Sequence, residues 1–285
     1  MSRNNQDRLG SRADGSDSPI QETLNNSPSP QMQFVVPTEF VELPSGGSFY
    51  PEDHPLHEQT EIEIKFMTAK EEDILTDKTL LKKGLAIDRL IKSIVINKNI
   101  QPDSLYVGDR NAILVAARIS GYGADYETKV VCPVCLEHGR HEFDLEAARS
   151  TSQPALDGTD IRQTSAGTVI FTTPKMGVEV ECKMLTGADE KQLLSKQRSD
   201  KEHRLPERNL TNHLKTILVS VNGNSDRSYI NSFIEAVTAG DSRYIRTTYQ
   251  KCIPNVELKE EYVCGECGAS TMLDVPFTTD FFWPK

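Results

Sequence analysis

Apolar and polar residues follow two different periods along this chain, and each period predicts its own kind of element. Strict alternation over Glu61–Phe66 predicts a half-buried strand with its charges outward. The apolar runs Thr168–Phe171 and Val178–Cys182 predict a β-hairpin. Helical spacing predicts helices from Leu85 to about Ile96 and from Arg110 to about Ser120.

Polar residues that start helices divide the helical stretches. Thr68 and Glu71 form a capping box that predicts a helix from about Ala69. Asp109 and Asp241 are each predicted to cap the helix that follows.

Three further segments complete the pattern of the second half. Thr186 is predicted to cap a helix that runs to about Gln197. The charged segment Arg198–Arg208 is predicted to be a linker, and the apolar residues from Leu214 to Val221 are predicted to share one helical face.

The predicted fold class is α+β, with four parts. Residues 1–33 are polar and contain no aromatic residue, which predicts a disordered arm. Residues 34–124 form a small β segment with a helical unit. Residues 125–145 and 255–285 form a split zinc-ribbon-like module, and residues 146–254 between them form an inserted β-hairpin and helical lobe.

Two cysteine knuckles carry the clearest chemical signal. The first is Cys132-Pro-Val-Cys135, the second is Cys264-Gly-Glu-Cys267, and 128 residues separate them. Each pair stands on a tight turn between two strand-like runs, so the two turns together can supply a closed tetrahedral four-thiolate site. We therefore predict a structural Zn²⁺ bound by Cys132, Cys135, Cys264 and Cys267.

Other interpretations of the cysteines remain open. The second knuckle ends on Gly268, which suits a tight turn, whereas the first has Leu136 there. A local site could use Cys132 and Cys135 with His138 and His141, although solvated histidines are the preferred interpretation. A dithiol redox pair is a further alternative.

Composition limits the function. The formal net charge of −10 opposes non-specific binding to nucleic acid and favours protein partners. No apolar run exceeds the six residues Ala112–Ala117, so no membrane span is predicted, and the polar N-terminus does not resemble a secretory signal. Cys182 and Cys252 are predicted to be buried free thiols, as in a reducing compartment.

The last aromatic residues form a separate candidate site. Phe281, Phe282 and Trp283 stand in a row, and they either pack on the core of the chain itself or contact a partner. Because large aromatic residues are common interface anchors, we name all three as candidate partner-binding residues.

Catalytic motifs give no support for an enzyme. The sequence contains no phosphate-binding loop, no nucleophile elbow and no His-Glu-x-x-His motif. A four-thiolate zinc is coordinatively closed, so we predict a non-enzymatic protein without catalytic residues or a cofactor-binding site beyond the metal.

Three groups of residues resemble a known family: Phe40–Gly47 with Phe49-Tyr-Pro51; Met67–Leu75 with Leu80–Gly84 and Val107–Leu114; and Asp241–Arg246 with Phe281–Pro284. These stretches resemble the baseplate hub and hub-assembly proteins of T-even-like contractile-tailed bacteriophages, over about residues 34–285. The resemblance implies a tail protein made in the host cytoplasm, with other baseplate hub or tail proteins as partners. It leaves open whether the protein stays in the virion tail baseplate or acts only as an assembly chaperone.

Three functions follow as hypotheses. The first is assembly of the baseplate hub through protein contacts, stabilised by zinc. The alternative is a zinc-ribbon regulatory protein that binds nucleic acid, and a third is a metal-dependent hydrolase that uses His138 or His141.

Overall fold

The computed structural model describes residues 35–152, 160–203, 208–276 and 279–282. The strands in these residues are β1 (Thr38–Glu42), β2 (Glu61–Lys65), β3 (Asp125–Val131), β4 (His138–Asp144), β5 (Arg149–Ser152), β6 (Arg162–Gln163), β7 (Thr168–Thr172), β8 (Glu179–Lys183), β9 (Leu218–Val221), β10 (Asn255–Val263) and β11 (Ser270–Asp274). The α-helices are α1 (Ala69–Thr76), α2 (Lys78–Lys83), α3 (Ala86–Ile94), α4 (Val107–Tyr122), α5 (Leu145–Ala148), α6 (Gly187–Glu202), α7 (Asn209–Ile217), α8 (Arg227–Ala236) and α9 (Ala239–Cys252). Short 3-10 helices cover Pro102–Ser104 and Thr279–Phe282. The mixture confirms the predicted α+β class.

The strands form small antiparallel sheets. β1 pairs with β2 and β3 pairs with β4, while the other two sheets have the orders β11-β10-β5 and β6-β7-β8-β9. One hydrophobic core contains side chains of β1, β2, α1, α3 and α4 together with both knuckle hairpins, β3–β4 and β10–β11. A second core lies between the sheet of β7, β8 and β9 and helices α7, α8 and α9.

Local patterns predicted several elements well. β2 alternates as expected, with Ile62 and Ile64 buried. The capping box of α1 is formed by Thr68 and Glu71, and the predicted β-hairpin is β7–β8. These elements depend mainly on side chains close in sequence, which explains why the sequence marks them.

Two predicted elements are wrong. Leu218–Val221 is the strand β9 and not the end of a helix, because it pairs with β8 at the edge of the second core. α6 continues to Glu202, so the predicted linker at Arg198–Arg208 begins as helix.

Neither predicted aspartate cap stands at the N-cap position. Asp109 and Asp241 are each the third residue of their helix, after Tyr106 and Thr238 at the N-caps. Both carboxylates are fully buried and accept hydrogen bonds from a distant turn. The tertiary contact therefore decides the role of these residues.

The predicted arm at residues 1–33 lies outside the described residues. Within the part of the chain that the structure describes, no helix combines the length and the apolar character needed to cross a bilayer.

Candidate metal centre

The two knuckles are the turns of two antiparallel hairpins. β3 ends at Val131, which pairs with His138 at the start of β4. β10 ends at Val263, which pairs with Ser270 at the start of β11. The pairing of the strands on both sides fixes each turn, so the cysteines are held by backbone geometry.

Backbone hydrogen bonds close the first knuckle twice. The N–H of Cys132 donates to the carbonyl of Glu137, and the N–H of Leu136 donates to the carbonyl of Cys132, both at 2.9 Å. The second knuckle has the same two bonds at the same length, from Cys264 to Ala269 and from Gly268 to Cys264.

Leu136 does not prevent the first turn from forming. Its φ is 64°, close to the 69° of Gly268 at the same place in the second turn. A leucine in this left-handed region is strained by about 1–2 kcal/mol, because its Cβ approaches the following carbonyl. The two turns therefore have the same backbone conformation, but the first is less stable by the strain of its leucine.

The four knuckle thiols lie together, as predicted. The Sγ of Cys132 is 3.8 Å from that of Cys267, and the Sγ of Cys135 is 3.7 Å from that of Cys264. All four sulfur atoms lie within 4.8 Å of one another.

These distances fit one tetrahedral ion. With Zn–S bonds of about 2.3 Å, the edges of a tetrahedron of sulfur ligands are about 3.8 Å long. A disulfide would require about 2.05 Å, and the cysteines are free thiols. The donor set and its spacing therefore suit Zn²⁺, although a metal ion remains a prediction.

Backbone N–H groups favour the thiolate form at the first cysteine of each knuckle. The N–H groups of Cys267 and Glu266 lower the pKa of Cys264 to about 6. The N–H groups of Cys135 and Val134 likewise lower the pKa of Cys132. Negative charge at these two sulfur atoms prepares the site for a cation.

The pKa of Cys135 moves in the opposite direction. The N–H of Glu137 lowers it, but burial and the three neighbouring thiols raise it to about 12. Four thiols this close cannot all ionise unless a cation neutralises them, so ion binding and deprotonation are coupled here.

Neither histidine near the first knuckle joins the cluster. The metal-competent group found among the described residues consists of the four cysteines. His138 is exposed on β4, as expected. His141 differs from the expected solvated residue, because it is half-buried with its ring edge-on to Phe143 and Tyr262.

Tyr262 is a component of the site that sequence reasoning missed. It is buried two residues before Cys264, and an added Cβ at Gly139 would lie 2.8 Å from its hydroxyl oxygen. Gly139 on β4 therefore leaves room for the tyrosine of the other hairpin. In the sequence, the position of Tyr262 two residues before Cys264 indicates that the tyrosine is near the site. Nothing in the sequence indicates that Gly139 is its neighbour.

The structure places two of the three candidate partner-binding aromatics inside the chain. Phe281 and Phe282 are buried in the first core, and the ring of Phe281 lies edge-on to Tyr126 at 5.3 Å. Of the two interpretations given above, packing on the core of the chain itself is the one observed for these two residues, and a role in partner binding stays a prediction. Trp283 lies outside the described residues.

Comparison with protein families gives a match to most of the chain. A family model described as T4 bacteriophage base plate protein matches residues 36–283. No curated protein and no solved structure matches the chain. The family match thus extends over both hairpins and both cores.

Proposed function

The chain belongs to the T4 bacteriophage base plate protein family, and on this premise we propose that it acts in assembly of the baseplate hub through contacts with other baseplate proteins. The match over residues 36–283 carries this proposal. The net charge of −10 supports protein partners over nucleic acid. We place the protein in the host cytoplasm during assembly and in the virion tail afterwards.

The metal is the second part of the proposal. Cys132, Cys135, Cys264 and Cys267 bind one structural Zn²⁺, as supported by the distances between their sulfur atoms. Four thiolates leave no open position for water or substrate, so this ion would not be catalytic, which supports our proposal of a non-enzymatic protein. The ion stabilises the two hairpins, because metal binding to such sites contributes directly to folding.

Zinc content tests the metal. We expect one zinc per purified chain by elemental analysis and a thiolate-to-metal absorption band after cobalt substitution. Cys264→Ser should lose both signals. Cys252→Ala, which removes a buried thiol of the second core, should keep both. Zinc-free protein with native thermal stability would contradict a structural zinc.

The tail role is tested in infected cells. Mass spectrometry of purified virions and of tail-assembly intermediates should find the protein together with hub proteins. Presence in both identifies a component, and presence in the intermediates alone identifies an assembly chaperone. Absence from both would contradict the proposal.

A gel-shift assay distinguishes the proposed role from the alternative, a regulatory protein that binds nucleic acid. We expect no shifted band with duplex DNA or RNA at low salt. A shift whose affinity falls steeply between two salt concentrations would support a nucleic-acid-binding regulator instead.

A further inference from the structure

The two halves of the chain begin with the same strand pair. β1 and β7 are five residues long, as are their partners β2 and β8. Thr38 pairs with Lys65 in the first half, and Thr168 pairs with Lys183 in the second. The first residue of each leading strand thus faces the last residue of the following strand, so the two registers are identical.

The next helix begins with the same set of contacts. The carboxylate of Glu71 accepts hydrogen bonds from Lys65 at 2.7 Å and from the N-cap threonine of α1. The carboxylate of Asp189 accepts from Lys183 at 2.6 Å and from the N-cap threonine of α6. A lysine that ends a strand therefore reaches the capping acid of the next helix in both halves.

A nine-residue helix then leads to a third strand position. Val95 follows α3 and bridges to Ile64 of β2. Leu218 follows α7 and pairs with Cys182 of β8. Ile64 and Cys182 occupy the same position of their strands, so the isolated bridge of Val95 in the first half and the strand β9 in the second meet their sheets at the same point.

The helix that precedes each knuckle hairpin, α4 in the first half and α9 in the second, carries a Gly-Asp pair in its first turn. The carboxylate of Asp109 accepts the backbone N–H of Ser45 at 3.0 Å, and that of Asp241 accepts the N–H of Lys175 at 3.0 Å. In both halves the donor follows a proline in the loop after the leading strand. The same acid thus fixes the same loop twice.

The knuckle hairpins complete the correspondence. Asp109 precedes Cys132 by the same number of residues as Asp241 precedes Cys264. Both hairpins have the same register, and both turns contain a left-handed residue at the same place.

We infer that the chain is a tandem duplication, with residues 38–144 and 168–274 as two copies of one module, and that the four-cysteine site is the joint between them. Each copy supplies two of the four sulfur ligands. The second part rests on the proposed zinc. On this view residues 146–254 are not an insertion into a ribbon, because they contain most of the second copy.

Corresponding positions on α4 and α9 differ in burial. Three positions on one face of α4 contact segments that follow α9. The position of a Cβ on Gly108 is occupied by the carbonyl of Pro254, Asn111 donates to the side chain of Asn255, and Arg118 donates to the carbonyl of Phe281. The corresponding residues on α9, namely Gly240, Arg243 and Gln250, are exposed. The glycine is common to both copies, whereas the other two positions differ: Asn111 and Arg118 make these contacts in the first copy, and Arg243 and Gln250 face water in the second.

The joint has a structural consequence. Both hairpins belong to the first core, where β10 packs against α4. An ion held by both knuckles would therefore fasten the hairpin of the second copy to the first copy.

Hydrogen exchange on the full chain tests the joint. With zinc present, both β3–β4 and β10–β11 should be protected, and removing zinc with a chelator should lower protection in both together. β1–β2 and β7–β8, which contribute none of the four clustered cysteines, should keep their protection. Loss of protection in only one hairpin, or no response to zinc, would overturn the shared joint.

An experimental structure tests the duplication without reference to metal. Residues 38–42 and 61–72 should superimpose on 168–172 and 179–190, and residues 108–140 on 240–272, with every strand pair in register. A shift of one residue in either set of strand pairs would overturn the duplication. The two experiments thus separate failure of the metal from failure of the repeat.

Discussion

The hydroxyl of Tyr50 donates to the carboxylate of Asp109 across 2.7 Å, although the residues are 59 positions apart. Ser45 donates to the same carboxylate from its N–H at 3.0 Å and from its hydroxyl at 2.7 Å. Burial raises the pKa of Asp109, while these donors oppose the rise. Because a buried carboxylate requires such partners, the contact fixes the loop after β1 to the start of α4.

Removal of the Tyr50 hydroxyl should destabilise the chain. This oxygen donates to Asp109 and accepts the N–H of Tyr106 at 3.1 Å, so Tyr50→Phe leaves two polar groups with one partner fewer. We expect a loss of about 2–3 kcal/mol in the free energy of unfolding, measured by urea titration. Tyr229→Phe, at a tyrosine that is 43 % exposed, is the control and should change it by less than about 0.5 kcal/mol. Equal effects of the two variants would show that the contact adds no stability.

Arg118 should stabilise the position of residues 279–282 through its hydrogen bond to Phe281. Its fully buried guanidinium donates to three carbonyls, those of Phe281 at 2.6 Å, Gly123 at 2.5 Å and Asp125 at 2.9 Å. A lysine ammonium cannot reproduce the planar arrangement of donors of the guanidinium. Arg118→Lys should therefore lower the free energy of unfolding, measured by urea titration, by about 2–4 kcal/mol. Faster hydrogen exchange at residues 279–282 should accompany the loss.

Arg140→Lys is the matched control for this substitution. Arg140 pairs with Glu127 at 3.1 Å, and both side chains are exposed. Such surface ion pairs contribute little to the free energy of unfolding, so Arg140→Lys should leave it nearly unchanged. A stability unchanged in Arg118→Lys would mean that the three carbonyls find equivalent partners without the guanidinium.

Glu71 should make stability depend on acid pH. Burial raises its pKa, but hydrogen bonds from Lys65, Ser93 and Thr68 outweigh burial and lower the pKa from 4.5 to about 2. A carboxyl with a depressed pKa in the folded state stabilises the fold above its unfolded pKa, and the stabilisation is lost as the pH falls through the folded value. The free energy of unfolding of the wild type should therefore be about 2–3 kcal/mol higher than that of Glu71→Gln from pH 7 to pH 5. This difference should shrink between about pH 4.5 and pH 2.

Chemical denaturation at each pH measures this difference. Glu52→Gln, at an exposed glutamate, should show no such trend. A difference between wild type and Glu71→Gln that stays constant to pH 2 would contradict the depressed pKa.

The sequence predicts those parts of the molecule that nearby residues determine. The knuckle cysteines are recognisable because both ligands of a pair stand on one turn, and β2 is recognisable because its burial alternates. The apolar residues of Leu218–Val221 fit a helical face equally well, and pairing with β8 decides in favour of a strand.

Other features require the tertiary structure. Nothing around Arg118 in the sequence distinguishes a buried arginine from an exposed one, since its partners are backbone carbonyls. The sequence alone does not reveal the duplication, because the two copies share few identical residues. Their common strand registers become visible only once the strands are paired.

The two knuckles allow a direct comparison of backbone strain at one position. Gly268 has a φ of 69°, and an added Cβ would meet nothing within 4 Å, so Gly268→Ala tests the left-handed backbone alone and should cost about 1 kcal/mol. Gly265→Ala, in the same turn and equally free of neighbours but without a positive φ, should not destabilise the chain and should stabilise it by about 0.4–1 kcal/mol. Leu136→Gly should have the opposite sign and stabilise the chain by up to about 1 kcal/mol, because it relieves the φ of 64°. Denaturant unfolding of the zinc-loaded proteins gives all three values, and a destabilised Leu136→Gly would show that the exposed leucine side chain contributes more than its backbone strain removes.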